Sequence, residues 1–251
     1  MHEFITIKFS HYCEKARWAL DRGGVEYREH GFMPAFHLPF AARALLGTGN
    51  GSADRISTRF STPLLVGKGG SRWTDSSDIA RYADPSLFEL EEAEALDQHF
   101  SAKLGGHTRR IVYWHALGDR PRLERMAYDN VSPTQARLFL AALPLITPMM
   151  RKSLRITQEA CDRSVAKVQG IADEVAERLS DGRRYLVGDQ FTIADLTFAA
   201  LFSIMVMPPE YGAKLMRPEE LDDGLRQHVE HFRAHPAGEF TLRMFREHRA
   251  E

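Results

Sequence analysis

Phe9-Ser10-His11-Tyr12-Cys13-Glu14-Lys15-Ala16-Arg17-Trp18-Ala19-Leu20 is the stretch on which the reading of this chain turns. Just upstream, Phe4, Ile5, Ile7 and Phe9 form an apolar, alternating run, the pattern of a strand. Ser10 then stands where a helix begins, and Ala16, Ala19 and Leu20 give that helix an inward face. Ser10 has two readings. It is an N-cap and nothing more, or it is a hydroxyl held at the positive end of a helix dipole, where anions and thiolates are stabilised. Cys13 also has two: a small buried hydrophobe packing helix on sheet, or a nucleophile whose pKa the dipole lowers. Position 10 is not a cysteine, so the Cys-x-x-Cys pair needed for dithiol exchange is missing.

Downstream, Arg22-Gly23-Gly24 is a helix stop, and Val25 to His30 alternates as a second strand. A strand–helix–strand unit of this length implies parallel pairing with a right-handed crossover. Met33 to Leu46 reads as partly helical, and Gly47 to Arg59, rich in Gly, Ser, Asn and Asp, as a loop. Leu64 to Val66 is a short buried strand, Gly67 to Gly70 a turn, and Arg72 to Thr74 the returning strand of an antiparallel hairpin. Asp75, with an acid three residues on at Asp78, opens a helix whose apolar side is Ile79, Tyr82 and Ala83. The order is βαβαββα. Past Glu89 no strand is evident. Helical periodicity runs through Glu91–Leu117, Pro133–Leu143, Ile156–Leu179, Phe191–Val206 and, more weakly, Glu219–Arg233. The predicted class is therefore α/β plus all-α, with residues 1–86 as the sheet domain and 90–251 as the helical one.

The whole chain narrows the function. It has 251 residues, a formal net charge of −1 and 43 % hydrophobic residues. Interspersed charge of that kind excludes a general nucleic-acid binder and strong attraction to anionic membranes. Two unpaired-looking cysteines, Cys13 and Cys161, fit a reducing compartment. No basic-then-apolar leader opens the sequence, so a cytoplasmic location is expected. The longest apolar run, Leu138 to Met150, carries two prolines and is too short to span a bilayer. His228, His231 and His235 share a helix face but lie among charges and lack a His-Glu-x-x-His spacing, so they read as a solvated face and no metal is expected.

Two further elements bear on chemistry. Thr62-Pro63 opens a strand, and an X-Pro bond there is either an ordinary strand start or a cis bond that exposes the Thr62 backbone to an extended peptide. Asp75-Ser76 is either a cap alone or a helix N-terminus that takes a carboxylate on Ser76 and an ammonium on Asp75.

Taken together in this order, the elements resemble the glutathione transferase superfamily. Ser10-x-x-Cys13-x-Lys15-Ala16-Arg17 is similar to its Ser-type active-site motif, Thr62-Pro63 to its cis-proline dipeptide, and Asp75-Ser76 to its acid/amide–Ser pair. Tyr185-Leu186-Val187-Gly188-Asp189-Gln190-Phe191-Thr192-Ile193-Ala194-Asp195-Leu196 resembles its folding motif, and its physics is legible directly: Thr192 and Asp195 form a capping box, Phe191 and Leu196 a hydrophobic staple. Asp195 is thus structural. The resemblance implies a thioredoxin-like first domain and a helical second one, a homodimer, and glutathione as co-substrate with a small hydrophobic electrophile. Under it, Ser10 or Cys13 carries the catalysis, and Thr62, Pro63, Asp75 and Ser76 hold glutathione. His11, Tyr12, His107, Tyr113 and Trp114 are candidates for the electrophile site. The basic residue that many members carry before the cis-proline dipeptide is replaced by Ser61, leaving Arg59 or His37 to hold the glycyl carboxylate. The segment Asp119 to Arg155 is longer than the family pattern, and its apolar Leu138 to Pro144 run suits core packing, a pocket wall or a dimer contact. Glutathione conjugation is the leading expectation. The alternatives are a Cys13-dependent thiol transferase or reductive dehalogenase, and a non-catalytic binding protein on the same fold.

Overall fold

The structure, a computed structural model, describes residues 1–45 and 61–249. The expected loop Gly47–Arg59, with Arg59 itself, lies outside the described residues. The first domain is a four-stranded sheet in the order β2-β1-β3-β4, with β1 His2–Ile7, β2 Tyr27–Phe32, β3 Leu64–Val66 and β4 Arg72–Trp73. β1 and β2 run parallel, Phe4 opposite Glu29, while β3 is antiparallel to both β1 and β4. The crossover helix α1 (His11–Arg22) ends at Gly23, and Gly24 takes φ +63°, the left-handed conformation that a helix stop demands.

Strand alternation separates two cores. Phe4 and Leu65 point to the face covered by α1 and by α3 (Ser76–Ala83). Their neighbours Ile5 and Leu64 point to the other face, where Ala41 and Leu45 of α2 (Leu38–Leu45) pack.

The rest of the described chain is helical: α4 Glu91–Lys103, α5 Gly105–Ala116, α6 Arg120–Asn130, α7 Pro133–Ser153, α8 Gln158–Leu179, α9 Ile193–Phe202, α10 Asp223–Arg233 and α11 Pro236–His248, with short 3-10 turns at Pro85–Phe88, Ser203–Met205 and Pro218–Glu220. α9 is buried on every side and carries the capping box of Thr192 and Asp195. Asp195 also accepts from the Leu186 N–H (2.8 Å), so its carboxylate ties the preceding loop to the helix start. α1 is wedged between α3 and α9, which makes it the element shared by both domains.

Three expectations change. The single periodic run Glu91–Leu117 is two helices, interrupted at Leu104. Gly105 opens the second because Tyr12 approaches so closely that a Cβ there would lie 2.4 Å from its hydroxyl. The helix starting at Pro133 extends past Leu143 to Ser153, through Pro144 and Pro148, because Phe139, Leu143, Ile146 and Met150 anchor one face of it. Finally, His235 does not share a helix with His228 and His231: α10 ends at Arg233, and His235 caps α11, where Pro236 occupies the first turn and its missing N–H costs nothing.

Candidate active site

Ser10 occupies the N-cap position of α1 with extended backbone (φ −73°, ψ 127°), and its carbonyl accepts the first helical bond from Glu14 N–H (2.8 Å). Its side chain makes no capping bond. The hydroxyl is therefore left for other partners at the positive end of the helix. It lines a cavity of about 230 Å³ between the two domains. Thr62 lines the same cavity, and its peptide bond to Pro63 is cis.

Cys13 lies behind this pair. It is fully buried, with Ser10 and Thr62 nearby. Burial pushes the thiol up; Arg17 and the two hydroxyls pull the other way without overcoming it. A nucleophilic cysteine needs the reverse, an accessible thiol with a lowered pKa. Cys13 is also not among the cavity's described lining residues.

Next to Ser10, His11 and Tyr12 turn towards the second domain and also border the cavity. His11 Nε2–H donates to the Gly105 carbonyl (2.9 Å), and burial, with Arg109 nearby, pushes its imidazole down to about 3, so it is neutral. The Tyr12 hydroxyl donates to the Ser101 carbonyl (2.8 Å). Two consecutive residues of α1 thus brace the break between α4 and α5.

Asp75 and Ser76 sit at the N-terminus of α3. The Asp75 carboxylate caps the helix, accepting from Ser77 N–H at 2.7 Å, and Ser76 is buried. Lys15 fixes this end relative to α1: its ammonium donates to Ser77 Oγ (2.6 Å) and to Ser101 Oγ (3.2 Å), and it pairs with Asp97. Asp97 also accepts from Thr197 Oγ1 (2.6 Å), so one fully buried lysine joins α1, α3, α4 and α9. Neither Asp75 nor Ser76 borders the cavity; they flank it at the neighbouring helix end. His37, one of the two residues considered for a carboxylate, does border it.

α5 forms the opposite wall with Arg109, Val112 and Tyr113, positions three and four apart on one helix face. His107 and Trp114 fall on the other side of the helix and are not among the lining. His107 meets Ser164 of α8 (3.0 Å), and Trp114 lies under the Arg151 guanidinium. Of the five candidates for this wall, His11, Tyr12 and Tyr113 are in place and His107 and Trp114 are not.

The remaining lining is apolar and adaptable. Met126 comes from α6, Met150 from α7, and Met207 and Met216 from the segment after α9. Methionine shapes itself to irregular surfaces. The long insertion therefore contributes to the pocket, but through Met126, Met150 and Leu154 and not through Leu138–Pro144. In that run Phe139, Leu140 and Leu143 pack in a second core against Phe9 and Met33, while Leu138 is 56 % exposed. The sequence reading missed Arg109, although it lies one helical turn before Tyr113 on the same face.

Among the described residues, no group of three His, Cys, Asp or Glu side chains is placed to hold a metal ion, and no helix is long and apolar enough to cross a membrane.

Known proteins agree with this architecture. The family model for the glutathione S-transferase N-terminal domain matches residues 9–85, and that for the C-terminal domain matches residues 158–231. No curated protein matches the chain in sequence. Among solved structures, glutathione transferase GSTFuA3 from Phanerochaete chrysosporium is similar with a TM-score of 0.62 at 17 % identity, over 100 % of this chain and 97 % of that one. A glutathione S-transferase of Ceriporiopsis subvermispora, in complex with glutathione, gives 0.59 at 16 % identity over 98 % and 97 %. One from Methylobacillus flagellatus, with glutathione bound, gives 0.53 at 14 % over 96 % and 98 %. At these identities the likeness is one of fold.

Proposed function

Since the chain belongs to the glutathione S-transferase superfamily, we propose that it binds glutathione against the sheet domain and transfers its thiolate to a small hydrophobic electrophile. The observation that carries this is Ser10: a hydroxyl at a helix N-terminus, unused as a cap, bordering an apolar interdomain cavity beside the cis peptide of Thr62. Its O–H donates to the sulfur of bound glutathione, which favours thiolate over thiol. The thiol proton passes to water. The thiolate sulfur then forms the new bond to the electrophilic carbon, and a leaving group, where there is one, departs with its electron pair.

The Thr62 backbone pairs with the cysteinyl part of the peptide as an added strand. Asp75 takes the γ-glutamyl ammonium, and Ser76 with the amides of α3 takes its carboxylate. His37, which borders the cavity, is the described residue assigned to the glycyl carboxylate. The electrophile lies against Tyr113 and the methionines. Cys13, buried with its thiol pushed up, acts here by positioning Ser10 and Thr62, which speaks against the thiol-transferase alternative. A homodimer in the cytoplasm belongs to the same reading.

Calorimetric titration of the protein with glutathione at neutral pH, with the thiolate's ultraviolet absorbance followed in parallel, tests it. Wild type is expected to bind and to show the absorbance, and Ser10→Ala to bind without it. No binding at all by wild type would turn the reading towards the non-catalytic alternative.

A further inference from the structure

Arg109 and Leu154 line the apolar cavity and also an adjoining cleft, whose other lining residues are Gly106, Arg110, Ser153 and Arg155. Three arginines therefore border one space, two from α5 and one from the turn after α7. Among the described residues none of the three has a carboxylate at ion-pair distance. Arg110 is held by the Leu154 carbonyl (3.3 Å), Ser164 Oγ (2.9 Å) and His107 Nδ1 (3.3 Å), none of them an acid.

Several arginines elsewhere are paired with acids: Arg17 with Glu29, Arg22 with Asp84, Arg125 with Glu220 and Arg178 with Glu92. In the cleft, Arg109, Arg110 and Arg155 gather with no acid among the described lining residues. Burial, and then the charges of Arg109, Arg163 and Arg155, lower the pKa of Arg110, so these cations do feel one another. Like charges at close range oppose folding unless an anion sits among them, and arginine's planar fork suits a carboxylate.

Size points the same way. A dry cavity of about 150 Å³ accepts a benzene ring, so the ≈ 230 Å³ beside Ser10 holds one substituted ring. Resting on the reading of this cavity as the electrophile's, we propose that the electrophile is an amphipathic acid: an apolar ring in the methionine-lined cavity, with a carboxylate held by Arg109 and Arg155 in the adjoining cleft. The carboxylate fixes the ring so that its reactive carbon faces Ser10 and the thiolate beside it. The arginines are specificity residues and take no part in the bond changes.

The test compares two electrophiles that differ by one carboxylate, 4-chloro-3,5-dinitrobenzoate and 2-chloro-1,3-dinitrobenzene. In both, the glutathione sulfur replaces chloride, which leaves with the bonding pair. Each kcat/KM is divided by the uncatalysed rate. Wild type is expected to favour the acid by about tenfold or more, the worth of a charge-assisted hydrogen bond. The preference should fall by about that factor in Arg109→Gln and in Arg155→Gln, and should shrink as salt is raised. A wild-type ratio near one, or a ratio the variants leave alone, overturns the proposal.

A second measurement needs no turnover. By calorimetry 3,5-dinitrobenzoate should bind about tenfold more tightly than 1,3-dinitrobenzene, with the difference lost in Arg109→Gln. If neither electrophile reacts but the acid still binds selectively, conjugation fails and the anion site stands. If both react without preference and the acid binds no better, the anion site fails and conjugation stands.

Discussion

The Tyr12 hydroxyl donates to the Ser101 carbonyl (2.8 Å), the acceptor that an unbroken helix would offer to the N–H of Gly105. A side chain of the first domain thus takes over a backbone bond of the second. Gly105→Ala would place a methyl 2.4 Å from that hydroxyl, and overpacking of this kind costs about 1–3 kcal/mol. Denaturant melts of Gly105→Ala, Tyr12→Ala and the double variant should give a coupling energy of at least about 0.5 kcal/mol. Strict additivity would mean that the glycine is there for another reason.

Ser10 and Cys13 make opposite predictions. Ser10→Ala is expected to lower kcat/KM for conjugation by about a hundredfold, the order of losing one donor to a developing anion, while the glutathione Kd moves little. Cys13→Ala, which empties space beneath the site, should show itself first as a stability loss of about 1–2 kcal/mol. Turnover abolished in Cys13→Ala and kept in Ser10→Ala would reverse the two roles.

Lys15 and Asp97 form a buried ion pair that also satisfies Ser77, Ser101 and Thr197. Removing one partner leaves a buried charge uncompensated, so Asp97→Ala should cost about 3–5 kcal/mol. Because Lys15 seats the first turn of α3, the same change should weaken glutathione binding at Asp75 and Ser76. Chemical denaturation reads the first effect and calorimetry the second.

His11 gives a pH signature. Its pKa falls from 6.5 to about 3 on folding, by burial first and by Arg109 second. Below pH 6.5 the unfolded chain takes up a proton that the folded one refuses. The stability from this site is present above pH 6.5 and is lost as pH falls towards 3. By pH 4.5 the loss is about 3 kcal/mol. His11→Asn should be less sensitive than wild type over that range; parallel stability–pH curves would show that His11 is protonated in the folded state.

Much of this was legible from local patterns. The alternation of Phe4, Ile5 and Ile7, the stop at Gly23-Gly24, the turn at Gly67–Gly70 and the caps at Asp75 and Thr192 each act within a few residues, and each appears where expected. What escaped depends on partners distant in sequence. The break at Leu104 answers to Tyr12, more than ninety positions upstream (|i−j| 94 for the neighbouring His11–Gly105 bond). Pro144 and Pro148 argue against a helix locally, yet α7 persists because its other face is buried against Phe9 and Met33. The pocket wall is assembled from scattered residues of α5, α6, α7 and the segment after α9, so no contiguous motif announces Arg109 or the methionines.

The position of α1 has a consequence for how the chain can be divided. Trp18 packs on Phe245 and its indole N–H donates to the His248 carbonyl (2.8 Å), while Glu14, wholly buried, is shared between Arg17 and Arg249 (2.7 Å). Excised at Pro85, the sheet half would present to water a naked tryptophan, a stranded lysine and a carboxylate missing one of its two counter-charges. The boundary that separates strands from helices is therefore not a seam along which the protein comes apart. Secondary structure draws it in one place, and autonomy, the capacity of a piece to stand alone, has no boundary there at all.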